Sequence, residues 1–272
     1  MVHMKSCIRI VLLFALSLAV CMPAQSAKRK KGLASVHEHM LMEPDAMPVK
    51  SRQTGRLVAA SKVDDHKLHG KINSRWREGI DVSHYQGTID WAQVARGNNI
   101  SYAYMKATEG ATYVDDTYTY NIREARRAGL SVGSYHFYRP NVSPEEQFEN
   151  MVSNIKANEQ DLAPIIDIEH RGNVSEGRFI ADLKALIRMV EHHYGCKPLL
   201  YSYQNFYNRY LIGHFDGYHF MIAKYQDEQP ILNDGRTYIM WQYTSKGAIS
   251  GISGHVDRSR IMDSFNLSQV GI

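Results

Sequence analysis

The sequence predicts an α/β fold, an incomplete TIM-like β/α barrel with eight strands and fewer than eight helices. Three observations carry this reading. Eight short runs, β-branched or aromatic-rich and bounded by polar, Gly or Pro residues, recur from Trp76 onward. Helical patterns separate the early runs, and strand–helix alternation implies a parallel sheet. Eight strands suggest closure, yet roughly 195 residues is short for a barrel with all eight helices, so some must be missing.

The elements follow in order. "GIDVS" (79–83), "SYAYMKAT" (101–108), "SVGSYHFY" (131–138) and "APIIDIE" (163–169) are the first four strands. "PLLYSY" (198–203), "HFMIAKY" (219–225), "YIMWQYT" (238–244) and "HVDRSRI" (255–261) are the other four. A helix in "DDTYTYNIREARRAGL" ends at Gly129, a residue suited to the left-handed step past a helix end. A second opens with Ser143, Pro144 and Glu146, a capping box with Pro in the first turn. A third, from Ser175, has apolar residues at helical spacing and stops at Gly195. The last strands are joined by shorter, less helical links.

Residues ahead of the barrel read differently. Residues 1–27 resemble a secretory signal peptide, with Lys5 and Arg9 before the apolar stretch Ile10–Met22 and small residues at Ala24–Ala27. The stretch is short for a membrane span. Cys21 in "LAVC" invites a lipid-anchor reading, which the bulky Val20 disfavours. Residues 28–75 begin "KRKKG" and lack hydrophobic periodicity, which predicts a basic, flexible tether. Thirteen of the 32 Lys and Arg precede residue 76, against five of the 28 Asp and Glu, so the net charge of 76–272 is −4. An acidic body gives no support to nucleic-acid binding. Past the leader Cys196 stands alone, which excludes an internal disulfide.

Chemistry gathers at the predicted strand ends. In "APIIDIEHRG" Asp167 and Glu169 interrupt an apolar run. Residues two apart on a strand share a face, so the carboxylates project together while Ile166 and Ile168 face the outer layer. Asp81 on the first strand and Asp257 on the eighth add two more acids. Tyr135 and His136, Tyr201 and Tyr203, Tyr225, and Gln242 sit late on other strands. Barrel sites form at the C-terminal strand ends. Aromatic rings there suit the C–H faces of sugars. Clustered carboxylates push each other's proton affinities apart, as glycosidic-bond cleavage requires. His136 has no metal-site spacing around it, and no phosphate loop, dinucleotide fingerprint or nucleophile elbow occurs, so neither metal nor cofactor is expected.

The segments "GIDVSHYQGTIDW", "YMKATEGATYVDDTYTYNIREARRAGLSVGSYHFY", "PIIDIE" and "WQYTSKGAISGISGHVDRS" are similar to glycoside hydrolase family 25, the Chalaropsis-type lysozymes. The resemblance runs from about residue 77 to the C-terminus. It implies a barrel with eight strands and fewer helices, no metal, and hydrolysis of the β-1,4 bond between N-acetylmuramic acid and N-acetylglucosamine in peptidoglycan. It implies Glu169 as general acid/base, with Asp167 assisting attack by the substrate N-acetyl group. Asp81 and Asp257 would tune the pair, and Tyr135, Tyr201 and Tyr225 would line the sugar groove. Two positions depart from the family pattern: Ser259 stands where Asn is usual and Lys224 where Arg is common. The partners expected are peptidoglycan glycan strands, met by an exported monomer with no stable membrane insertion. A chitinase-like hydrolase is the rival enzyme reading, but its longer D-x-x-D-x-D-x-E run is absent. A barrel that binds cell wall without catalysis is the other alternative.

Overall fold

The computed structural model describes residue 72 and residues 75–272. The expected leader lies outside the described residues, as does the basic segment apart from Ile72 and Arg75. The chain runs β1 (Glu78–Val82), α1 (Trp91–Gly97), β2 (Ile100–Glu109), β3 (Tyr113–Val114), α2 (Tyr118–Arg127) and β4 (Ser131–Phe137). It continues through α3 (Pro144–Asn154), β5 (Ile165–Asp167), α4 (Glu176–Tyr194) and β6 (Leu199–Tyr203). A short turn α5 (Gln204–Phe206) passes into a π-helical turn at Tyr207–Leu211, followed by β7 (Phe220–Ala223), β8 (Met240–Gly247) and β9 (Val256–Ile261).

β1 pairs with both β9 and β2, so β1, β2 and β4 to β9 close an eight-stranded barrel. These are the eight strands expected. The two-residue β3 is an addition, paired antiparallel to β2. The parallel order expected holds from β1 through β8, but β9 is antiparallel to both neighbours. The link 248–255 is too short for a crossover, so the chain can only turn back. α2, α3 and α4 are the predicted helices. Ser143 accepts the Glu146 N–H at the start of α3, and Gly195 closes α4 in the left-handed conformation at φ 69°. α1 was not expected: seven residues capped by Asp90 are too few to show a helical period.

Strand alternation divides the core in two. One apolar cluster, including Ile80, Val82, Ile166, Ile168, Leu200 and Ile222, lies between barrel and helices. The other fills the barrel with Tyr102, Tyr104, Ile165, Leu199, Met221, Ile239 and Ile261, together with Leu267 and Val270. The two interior tyrosines need glycine across the sheet. Gly79 faces Tyr102 and Gly133 faces Tyr104 in register. A Cβ on either glycine would lie 2.1 or 2.3 Å from the facing ring. The lower barrel is thereby packed solid, and polar chemistry is confined to its upper mouth.

Candidate active site

Asp167 is the last residue of β5, and Glu169 lies two residues beyond. The extended backbone persists past the strand because the Ile168 N–H donates to Tyr201 O at 2.9 Å and Ile168 O accepts the Ser202 hydroxyl at 2.8 Å. Alternation therefore holds through residue 169: Ile166 and Ile168 are fully buried against the helix layer, and the two carboxylates face the barrel mouth. A narrow pocket there, with room of about 30 Å³, is lined by Asp81, Tyr135, Asp167, Glu169, Tyr201 and Gln242 over Ile165 and Met221.

Hydrogen bonds, ring packing and strand register bring Gln242, Tyr225, Tyr203 and Asp257 to this mouth. Gln242 Nε2 donates to both oxygens of Asp81, at 2.9 and 3.0 Å. Its Oε1 accepts the hydroxyls of Tyr201 at 2.8 Å and Tyr225 at 2.7 Å. Gln242 thus bridges β1, β6 and the end of β7 with its full amide capacity. Tyr203 packs edge-on between Tyr201 and Tyr225, each pair with ring centroids 6.0 Å apart. Asp257 faces Asp81 in register across β1 and β9.

The electrostatics follow from burial. Asp167 is held far above the usual carboxylate range by burial, then by the charges of Glu169, Asp81 and Glu109, with Lys106 opposing. Burial, Asp81 and Glu169 raise Asp257 in the same way. Burial and the surrounding acids keep the phenols of Tyr135, Tyr201 and Tyr225 neutral. One oxygen of Asp167, Oδ1, is buried with no hydrogen-bond partner among the described residues. An unsatisfied buried acceptor is costly and calls for a functional explanation.

His136 departs from expectation. It is fully buried on the other face of β4, with Nδ1 2.8 Å from Thr108 Oγ1 and Nε2 3.2 Å from Gln147 Oε1 of α3. Alternation explains this, since its neighbours Tyr135 and Phe137 take the mouth side. Burial lowers its proton affinity to a pKa of about 4, so it is a neutral packing residue and does not line the groove. The two positions that depart from the family pattern also become clear. Ser259 is fully buried, its Oγ 3.0 Å from the Tyr102 hydroxyl one layer below the acids. Lys224 reaches away to Gln229 O at 3.3 Å.

Lys106 is not among the expected site residues. It is 3% exposed, faces Tyr135 in register, and pairs with Glu109 at 2.5 Å. A charge inside an apolar strand run was its signal, the same signal that marked Asp167. Among the described residues no group of three or more His, Cys, Asp or Glu is arranged to hold a metal ion.

Residues 80–252 match the family model of glycosyl hydrolases family 25. The chain belongs to glycosyl hydrolase family 25. It is 36% identical over 183 residues to the uncharacterized protein YegX of Escherichia coli K12, covering 66% of this chain and 67% of that one. It is 31% identical over 211 residues to Lysozyme M1 of Streptomyces globisporus, covering 72% and 71% of the two chains. The crystal structure of the bacterial lysozyme from Streptomyces coelicolor superposes with a TM-score of 0.65 at 29% identity, covering 72% of this chain and 97% of that one. The family 25 barrel, with its acidic mouth, makes this chain a glycoside hydrolase.

Proposed function

We propose that the chain is an exported lysozyme, acting as a monomer, that hydrolyses the β-1,4 bond between N-acetylmuramic acid and N-acetylglucosamine. The observation that carries this is the pairing of Glu169 with a buried Asp167 whose Oδ1 lacks a donor. A substrate acetamido N–H fits that acceptor. Its carbonyl oxygen is then aimed at the anomeric carbon, as in substrate-assisted glycosidases. The small pocket suits this division: the acetamido group and scissile oxygen reach the acids while the sugar rings lie across the tyrosine rim.

One proton serves the pair. Burial favours the protonated form of Asp167, the more buried acid. A hydrogen bond donated by the substrate amide favours the Asp167 anion, which leaves the proton to Glu169. Glu169 gives it to the departing glycosidic oxygen as the amide oxygen bonds to the anomeric carbon. Water then opens the cyclic intermediate and returns its proton to Glu169. Asp81, fixed by Gln242, supplies negative potential that stabilises positive charge developing on the sugar, and Asp257 faces it across β1 and β9.

The test is digestion of purified peptidoglycan by wild type and Glu169→Gln, with released fragments identified by mass and by the new reducing end. Muramic acid ends with wild type, absent with Glu169→Gln, support the proposal. Glucosamine ends would make it a glucosaminidase. Binding without release by either protein would make it a wall-binding barrel.

A further inference from the structure

Four carboxylates crowd the mouth, and one buried cation sits beside them. Among the described residues Lys106 is the only lysine or arginine in the buried set. A bulge puts it there. The β2–β4 register passes from Lys106–Tyr135 to Thr108–His136, so Ala107 is an extra residue. Without that step Lys106 and Thr108 would share a face. With it, Thr108 turns outward to His136 while Lys106 and Glu109 both face the mouth. Glu109 also accepts Arg139 Nε at 2.8 Å. Arg139 Nη1 lies 3.3 Å from His170 Nε2, next in sequence to Glu169. A guanidinium only donates, so His170 accepts and is neutral; burial and Arg139 hold it so. The Phe137 ring, in register with Asp167, lies under both cations, 5.2 Å from Lys106 Nζ and 4.8 Å from the Arg139 guanidinium carbon.

We infer that Lys106, Glu109, Arg139 and His170 form a positioning chain for hydrolysis: Lys106 sets the charge balance of the Asp167–Glu169 pair, and Arg139 holds the turn carrying Glu169. The inference rests on the proposed roles of Asp167 and Glu169. The groups that act most strongly on the Asp167–Glu169 pair are Asp81, Asp257, Glu109 and Lys106, with the Tyr135 and Tyr201 hydroxyls beside them. Lys106 is the one positive charge in that set, so its removal favours every protonated form of the pair. Removal of Glu109 disfavours them.

The experiment compares kcat against pH on soluble peptidoglycan fragments for wild type, Lys106→Met, Lys106→Arg and Glu109→Gln, with Asp167→Asn as reference. Lys106→Met is expected to lower kcat about 10- to 100-fold with KM within about threefold, and to move the bell-shaped profile about half to one pH unit upward. Glu109→Gln, which keeps shape, is expected to move it downward, and Lys106→Arg to restore much of the wild-type profile. A packing role would lower thermal stability without moving the profiles in opposite directions. If Asp167→Asn is inactive but the Lys106 and Glu109 profiles superimpose on wild type, the positioning chain is refuted. If Asp167→Asn is as active as wild type, the underlying mechanism itself is refuted.

Discussion

Two layers of the barrel interior, two residues apart on the same strands, are built to opposite rules. In the lower layer Gly79 admits the Tyr102 ring, and the Tyr102 hydroxyl finds Ser259 at 3.0 Å. In the upper layer Asp81 faces Asp257 across the same strand pair, and Asp167 keeps a buried oxygen unpartnered. The lower layer satisfies its polar groups and fills its space. The upper layer crowds carboxyl groups together with one acceptor unsatisfied. On the proposed mechanism stability belongs to the first and chemistry to the second, as the two ends of such barrels require.

Substitutions in the two layers should therefore fail differently. The largest effect is expected from Glu169→Gln. It removes the transferable proton but preserves shape, so turnover should fall by about 10³-fold or more while the circular-dichroism spectrum and glycan binding persist. Gly79→Ala attacks the lower layer. The added methyl meets the Tyr102 ring, and overpacking of this kind costs about 1–3 kcal/mol. Denaturant unfolding should show the loss in midpoint. Ser259→Ala leaves the buried Tyr102 hydroxyl without its partner, a loss of about 1–3 kcal/mol by the same measurement. Ser259→Asn should change turnover only mildly, because Ser259 sits below the acids.

The pH dependence of stability sharpens the contrast. Asp167 and Asp257 bind protons more tightly folded than unfolded. Their contribution is full below the ordinary carboxylate pKa and is lost as pH rises toward their raised folded values. Asp257→Asn should accordingly raise the thermal midpoint at pH 7, and the gain should vanish near pH 4. His136 has the opposite sign. Burial lowers its pKa from 6.5 to about 4, so its contribution is present above 6.5 and is lost as pH falls toward 4. His136→Phe should flatten stability over that acid window and leave KM unchanged, since the ring lies outside the groove; thermal melts and initial rates check both.

Much of this was legible in the chain. The eight strands were visible because each is short, apolar and clearly bounded, and the Asp167–Glu169 pair because two charges in such a run share one face. Gly129, Ser143 and Gly195 marked helix ends by local chemistry that needs no tertiary context. What stayed hidden depends on register. The antiparallel direction of β9 follows from a turn, and its strand pattern is the same either way. The placing of His136 away from the groove follows from the side on which Tyr135 falls, which period two alone does not assign. The bulge at Ala107, which brings Lys106 and Glu109 to the mouth, exists only in the pairing of β2 with β4. α1 was too short to register as periodic.

On the proposed mechanism the Asp167 side chain is both costly to fold and needed for turnover. The most direct test is Asp167→Asn, with thermal midpoint at pH 7 and turnover on peptidoglycan measured on one preparation. Turnover should fall by about 10²-fold or more while the midpoint stays at or above that of wild type. Turnover preserved, or a midpoint that falls along with activity, would contradict that mechanism.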